Sequence, residues 1–135
     1  MSVARIGVSL GGSLLEEFDR YVAEKGFDSR SEALRALIRE ALTEKRVAEG
    51  GEVVGTITFV YRHDVGTVTH GILHRQHDFV NAIRATAHTH LSDETCLEVL
   101  LVQGKAVNVL RLADRIRTAR GVLFEQTVMT SPDLR

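Results

Sequence analysis

The sequence predicts an α+β protein in two parts: a strand followed by two helices, then a unit of four strands and two helices in the order βαββαβ. Three observations carry this expectation. Apolar residues alternate along several short stretches rich in β-branched side chains, the period of a strand. Between those stretches they recur every three or four residues, the period of a helix. Residues 43–51, ending Ala48-Glu49-Gly50-Gly51, change from helical to flexible composition and set a boundary, with domains at 1–47 and 52–135.

In the first part, Ile6, Val8 and Leu10 fall on one face of a strand, and Arg5, Gly7 and Ser9 on the other. Gly11-Gly12 ends it. Leu14, Leu15, Phe18, Tyr21 and Val22 then take helical spacing, and Gly26 supplies the stop. Ser29-Arg30-Ser31-Glu32 is a capping box for a second helix, with Ser29 as N-cap and Glu32 at its third position. That helix carries Ala33, Leu34, Leu37, Ile38, Ala41 and Leu42 as its stripe. One strand and two short helices bury too little to stand alone. Antiparallel pairing of the strand with a second copy solves this, and presents Arg5, Gly7 and Ser9 outward twice. Such a ribbon fits the major groove of DNA. The free amides at Ser31 and Glu32, at the N-terminus of the second helix, suit a phosphate.

In the second part, residues 52–62 read as a strand. Residues 65–79 read as a helix, with Val68 and Ile72 on one face and His70, His74 and His77 on another. Residues 83–91 and 96–102 read as a hairpin turning at Ser92-Asp93-Glu94, and Gly104 breaks its second strand. A helix through Val107, Leu110, Leu112, Ala113 and Ile116 runs up to Gly121, and residues 122–129 are the last strand. The order is the split βαβ, or ferredoxin-like, arrangement. Its helices cover one sheet face, leaving the other for a second copy.

His88 and His90 stand two apart on a strand and therefore project side by side. The hairpin returns Cys96, the single cysteine, beside them. Two imidazoles and a thiolate suit zinc, copper or nickel, and suit calcium or magnesium poorly. His70, His74 and His77 offer a second, helical set of ligands.

Composition bounds the rest. Hydrophobic residues make up 44% and charged residues 26% of 135, ordinary for a globular protein. The net charge of −1 means that nucleic-acid binding must come from a local surface, since residues 1–46 hold eight basic and eight acidic side chains. One cysteine excludes an intrachain disulfide and fits a cytoplasmic location. No apolar run is long enough for a membrane span. No nucleophile with a paired base and no phosphate loop marks an enzyme.

The strand, the Gly26-Phe-Asp-Ser-Arg-Ser-Glu-Ala33 segment and the following helix resemble the ribbon-helix-helix family of DNA-binding proteins. Both halves together resemble the nickel-responsive transcriptional regulators, which join such a domain to a ferredoxin-like, ACT-type regulatory domain. The motifs are Arg30-Ser-Glu-Ala33, Tyr61-Arg-His63, Gln76-His-Asp78, His88-Thr-His90 and Cys96-Leu-Glu98. The resemblance implies a repressor controlling nickel uptake, which grips a double-stranded DNA operator more tightly when nickel is bound. It implies a homotetramer, a dimer of dimers, holding one Ni(II) per subunit on His88, His90 and Cys96, with His77 supplied by the opposing subunit. Glu98 is expected to orient a ligand, with Tyr61, His63 and Gln76 as further residues behind the site. Two departures stand out. Gly7 lacks a base-reading side chain, and Ala36 stands where some members carry a carboxylate of a low-affinity cation site. The competing readings are a zinc or copper sensor of the same fold, and a small-molecule-binding ACT-type module or metal store whose first domain only dimerises.

Overall fold

A computed structural model describes residues 2–62 and 77–133, with the side chains of His77 and Asp78 outside the description. Helix α1 spans Gly12–Lys25 and α2 spans Arg30–Ala48. They are followed by β1 (Glu52–Arg62), α3 (His77–Ala82), β2 (Ile83–His90), β3 (Thr95–Lys105), α4 (Ala106–Arg117) and β4 (Val122–Thr130). The chain divides into two compact units, Met1–Ile38 and Arg39–Arg135.

In the first unit α1 ends at Gly26, whose φ of 75° is left-handed and closes the helix through bonds to Ala23 and Val22 carbonyls. Ser29 Oγ accepts the Glu32 N–H at 3.1 Å, which is one half of the expected capping box. Glu32 does not complete the other half, because its carboxylate pairs with Arg35 one turn on. Phe18, Tyr21 and Phe27 form a chain of ring contacts. The expected strand at residues 3–10 has no regular structure here. A ladder needs a partner strand, and none pairs with this segment among the described residues. Its apolar face is correspondingly open: Ile6 is 77% and Val8 58% exposed.

The second unit builds one antiparallel sheet in the order β2-β3-β1-β4. This is the sheet expected of a βαββαβ chain. Alternation decides which face each residue takes. Val53, Ile57, Phe59 and Tyr61 of β1 are buried with Cys96, Leu100 and Val102 of β3, against Val109, Leu112 and Ile116 of α4 and Phe79 of α3. The opposite face carries Leu101, Phe124 and Val128, all exposed.

Several boundaries differ from the expectation. Gly104 does not break β3; it sits opposite Val53, and the strand runs to Lys105 before α4 begins. The flexible composition from Thr43 does not end α2, which continues to Ala48. Tertiary contacts outweigh propensity there. Thr43 is buried and its Oγ1 meets the Ser131 N–H, Arg46 pairs with Asp133 at 2.9 Å, and Val47 packs on the core. Most of the helix expected at 65–79, with His70 and His74, lies outside the described residues; α3 starts at His77 and passes Phe79.

Candidate metal centre

Register builds the site. In the β2–β3 ladder His90 lies opposite Cys96, and His88 opposite Glu98. In the neighbouring β1–β3 ladder Tyr61 lies opposite Cys96. Directly opposed residues point to one face, so five side chains share the helix-covered face at one end of the sheet. The ligand atoms of His88, His90 and Cys96 all lie within 4.8 Å of one another, the one such cluster among the described residues. Cys96 Sγ is 3.3 Å from His90 Nδ1, and the two imidazoles meet edge to face with centroids 5.1 Å apart. Donors about 2.0–2.3 Å from a shared ion stand at most roughly 4.5 Å apart. Small side-chain rotations therefore close this set on one ion. Two nitrogens and one sulfur select a borderline-soft transition metal over calcium or magnesium.

Burial is graded across the site. Cys96 is fully buried, while His88 and His90 are exposed. The thiol is fixed by the core, and the imidazoles stand where a further ligand can approach. Glu98 is 6% exposed, so it is not a solvated strand carboxylate. Burial pushes the Tyr61 hydroxyl up to about 12, helped by the charge of Glu98 and by Cys96. Tyr61 thus stays a protonated donor beside a carboxylate and a sulfur, and its ring lies 6.4 Å from that of His88. The sign of Glu98's burial is legible in the sequence: it shares alternation with Cys96, Leu100 and Val102. The pairing of Tyr61 with Cys96 is not, because register across a long connection leaves no local signal. His77 is the first residue of α3, and His63 and Gln76 lie outside the described residues.

Arg5, Gly7 and Ser9 are exposed, and a Cβ added to Gly7 would meet nothing within 4 Å. Ser31 is exposed in the first turn of α2. Of the two amides expected to be free there, that of Glu32 is taken by Ser29.

Residues 54–130 match the family described as the NikR C-terminal nickel-binding domain. The chain belongs to the nickel-responsive regulator family. Residues 4–45 match the copG family of ribbon-helix-helix proteins, making the first part a DNA-binding, dimerising module. A candidate nickel-responsive regulator of Thermococcus onnurineus is 43% identical over 97% of this chain and 96% of its own length. Similarly named proteins of Geobacter metallireducens and Chlorobaculum tepidum are 45% and 42% identical. They are matched over 94% and 96% of this chain, and over 92% and 96% of their own lengths. The membership agrees with the fold expected from the motifs. It is a family of regulators rather than enzymes. No described helix is long and apolar enough to cross a membrane.

Proposed function

We propose that this protein is a nickel-responsive repressor whose second unit binds one Ni(II) per subunit and thereby tightens the grip of the first on an operator. The carrying observation is the convergence of His88, His90 and Cys96 on one point of the sheet. The fourth ligand is His77 of the partner subunit. Three nitrogens and a thiolate in a plane suit Ni(II), which accepts square-planar geometry; zinc prefers a tetrahedral version of similar ligands. Four protein ligands fill such a sphere, which favours sensing over catalysis.

The neighbouring side chains support these ligands. Glu98, opposite His88, accepts a ring N–H and fixes the imidazole for the ion. Tyr61 donates to the Cys96 sulfur and moderates its charge. His63 and Gln76 extend this network. A ligand drawn from another subunit makes occupancy depend on subunit arrangement, so the ion selects one arrangement of the assembly. The assembly is a dimer of dimers. The first units pair through their strands, and the second units through the exposed sheet face of Leu101, Phe124 and Val128. The ribbon then sets Arg5, Gly7 and Ser9 in the major groove and the Ser31 amide at a phosphate. Gly7 shifts base readout toward its neighbours. The regulated genes serve nickel uptake, and the compartment is the reducing cytoplasm that keeps Cys96 a free thiol.

A mobility-shift titration on promoter DNA, with and without nickel, tests the reading. Nickel is expected to tighten specific binding at least tenfold; equal and specific binding by the metal-free protein would refute it. His77→Ala retains three ligands but is expected to lose the square-planar absorption bands. Unchanged spectra and affinity in that variant would remove His77 of the partner subunit from the site.

A further inference from the structure

Charge is spread unevenly along this chain. Of its 17 basic and 18 acidic residues, five and one fall within residues 105–120, leaving twelve and seventeen for the remainder. The five are Lys105, Arg111, Arg115, Arg117 and Arg120, and all are exposed. Helix α4 buries Ala106, Val109, Leu112, Ala113 and Ile116, which turns Arg111 and Arg115, one turn apart, to the outer face. Asp114, the lone acid, pairs with Arg117. Lys105, Arg111, Arg115 and Arg120 form no ion pair among the described residues. The helix dipole favours cations only in the last turn. It accounts for Arg115 and Arg117, but not for Arg111 in mid-helix or Arg120 beyond the end.

DNA affinity comes largely from neutralised phosphates, yet residues 1–46 balance eight basic against eight acidic side chains. The ribbon unit therefore brings placement but no net positive field. Guanidinium groups suit phosphate geometry, and free ones are available on α4. We propose that the outer face of α4 and the turn after it, through Arg111, Arg115 and Arg120, is a second DNA-binding surface that holds backbone phosphates without reading sequence. This rests on the DNA-binding function proposed above.

The test uses nickel-loaded full-length protein, a mixed-sequence 40-base-pair duplex (chosen because phosphate binding needs no operator) and a salt series. Each phosphate that is no longer neutralised lowers the slope of log affinity against log salt by about one. Arg111→Gln/Arg115→Gln/Arg120→Gln is expected to flatten that slope by about two to three and to weaken binding roughly tenfold or more near 0.1 M salt. Its nickel absorption should match the wild type, since none of the three touches the metal cluster. Asp114→Asn, which removes the one acid, is expected to strengthen binding at low salt. If the wild type binds the duplex and the triple variant binds with the same slope and affinity, the α4 surface is overturned while the repressor reading stands. Loss of binding to phosphatidylglycerol vesicles with unchanged duplex binding also overturns it. A wild type that binds neither this duplex nor promoter DNA, with or without nickel, removes the function itself.

Discussion

The two compact units differ in what each can hold together by itself. In Arg39–Arg135 the sheet and α4 close over Ile57, Phe59, Leu100, Leu112 and Ile116, all with no exposure. In Met1–Ile38 Ala33 is the one fully buried side chain among the described residues, and Ile6, Val8, Leu10 and Leu14 face outward. The first unit has apolar surface laid out for another copy of itself; the second carries its own core. One consequence is thermodynamic. Order at residues 3–10 is expected to follow protein concentration, as mass action requires of a segment that pairs with a second copy, whereas the packing around Phe59 does not need it.

The largest expected effect breaks this contrast at Ile6. Judged on one copy, Ile6→Asp alters a surface residue and shifts stability by no more than about 0.5 kcal/mol. In a paired ribbon it buries two carboxylates without partners. Specific binding to promoter DNA is therefore expected to vanish in a mobility-shift assay while the nickel absorption of the second unit persists. Retention of full DNA affinity by Ile6→Asp would mean that residues 3–10 do not pair.

Glycine sharpens the comparison at smaller scale. Gly55, on β1, has Val128 O only 1.9 Å and Met129 Cα 2.9 Å from where a Cβ would stand. Gly7 has open space. Gly55→Ala must push β4 away from β1, at a cost of about 1–3 kcal/mol in unfolding free energy from urea titration. Gly7→Ala is expected to change folding stability by less than about 0.5 kcal/mol. Equal effects at both positions would mean that the β1–β4 approach is not tight.

The same contrast sets how much was legible in the sequence. Elements that close on themselves were: the alternation of residues 52–62 delivers β1, Gly26 stops α1, and the helical stripe from Val107 delivers α4. The clustering of the candidate ligands was legible because His88 and His90 are two apart on a strand and Cys96 is one hairpin away, so the cluster is local. What depends on distant partners was not. The continuation of α2 through Ala48 rests on Thr43, Arg46 and Val47 meeting residues some eighty positions later or the core between them. Gly104, taken alone, signals a break; opposite Val53 it is an ordinary strand position, with the nearest side-chain atom, Ala82 Cβ, 3.7 Å from an added Cβ. Residues 3–10 alternate plainly in the sequence, yet they form no strand in one copy; the ladder proposed for them needs a second chain.

The smallest effect concerns what the first unit does hold by itself. Arg30 reaches back from the start of α2 to Asp19 on α1 with two bonds, 2.7 and 2.8 Å, in the bidentate geometry that makes an exposed pair count. The Arg30 hydrogen bond, aided by its charge, holds the Asp19 carboxyl below its ordinary value. A depressed folded-state value means that the stabilisation is complete above the unfolded value, near pH 4, and is lost as pH falls through the folded one. Asp19→Asn is thus expected to lower the urea midpoint slightly at pH 6, and the gap from the wild type should close on acidification below about pH 4. Since both groups are exposed, added salt should narrow the gap at pH 6 as well. A gap that stays constant from pH 6 to pH 3 would mean that the Asp19 charge plays no part in joining α1 to α2.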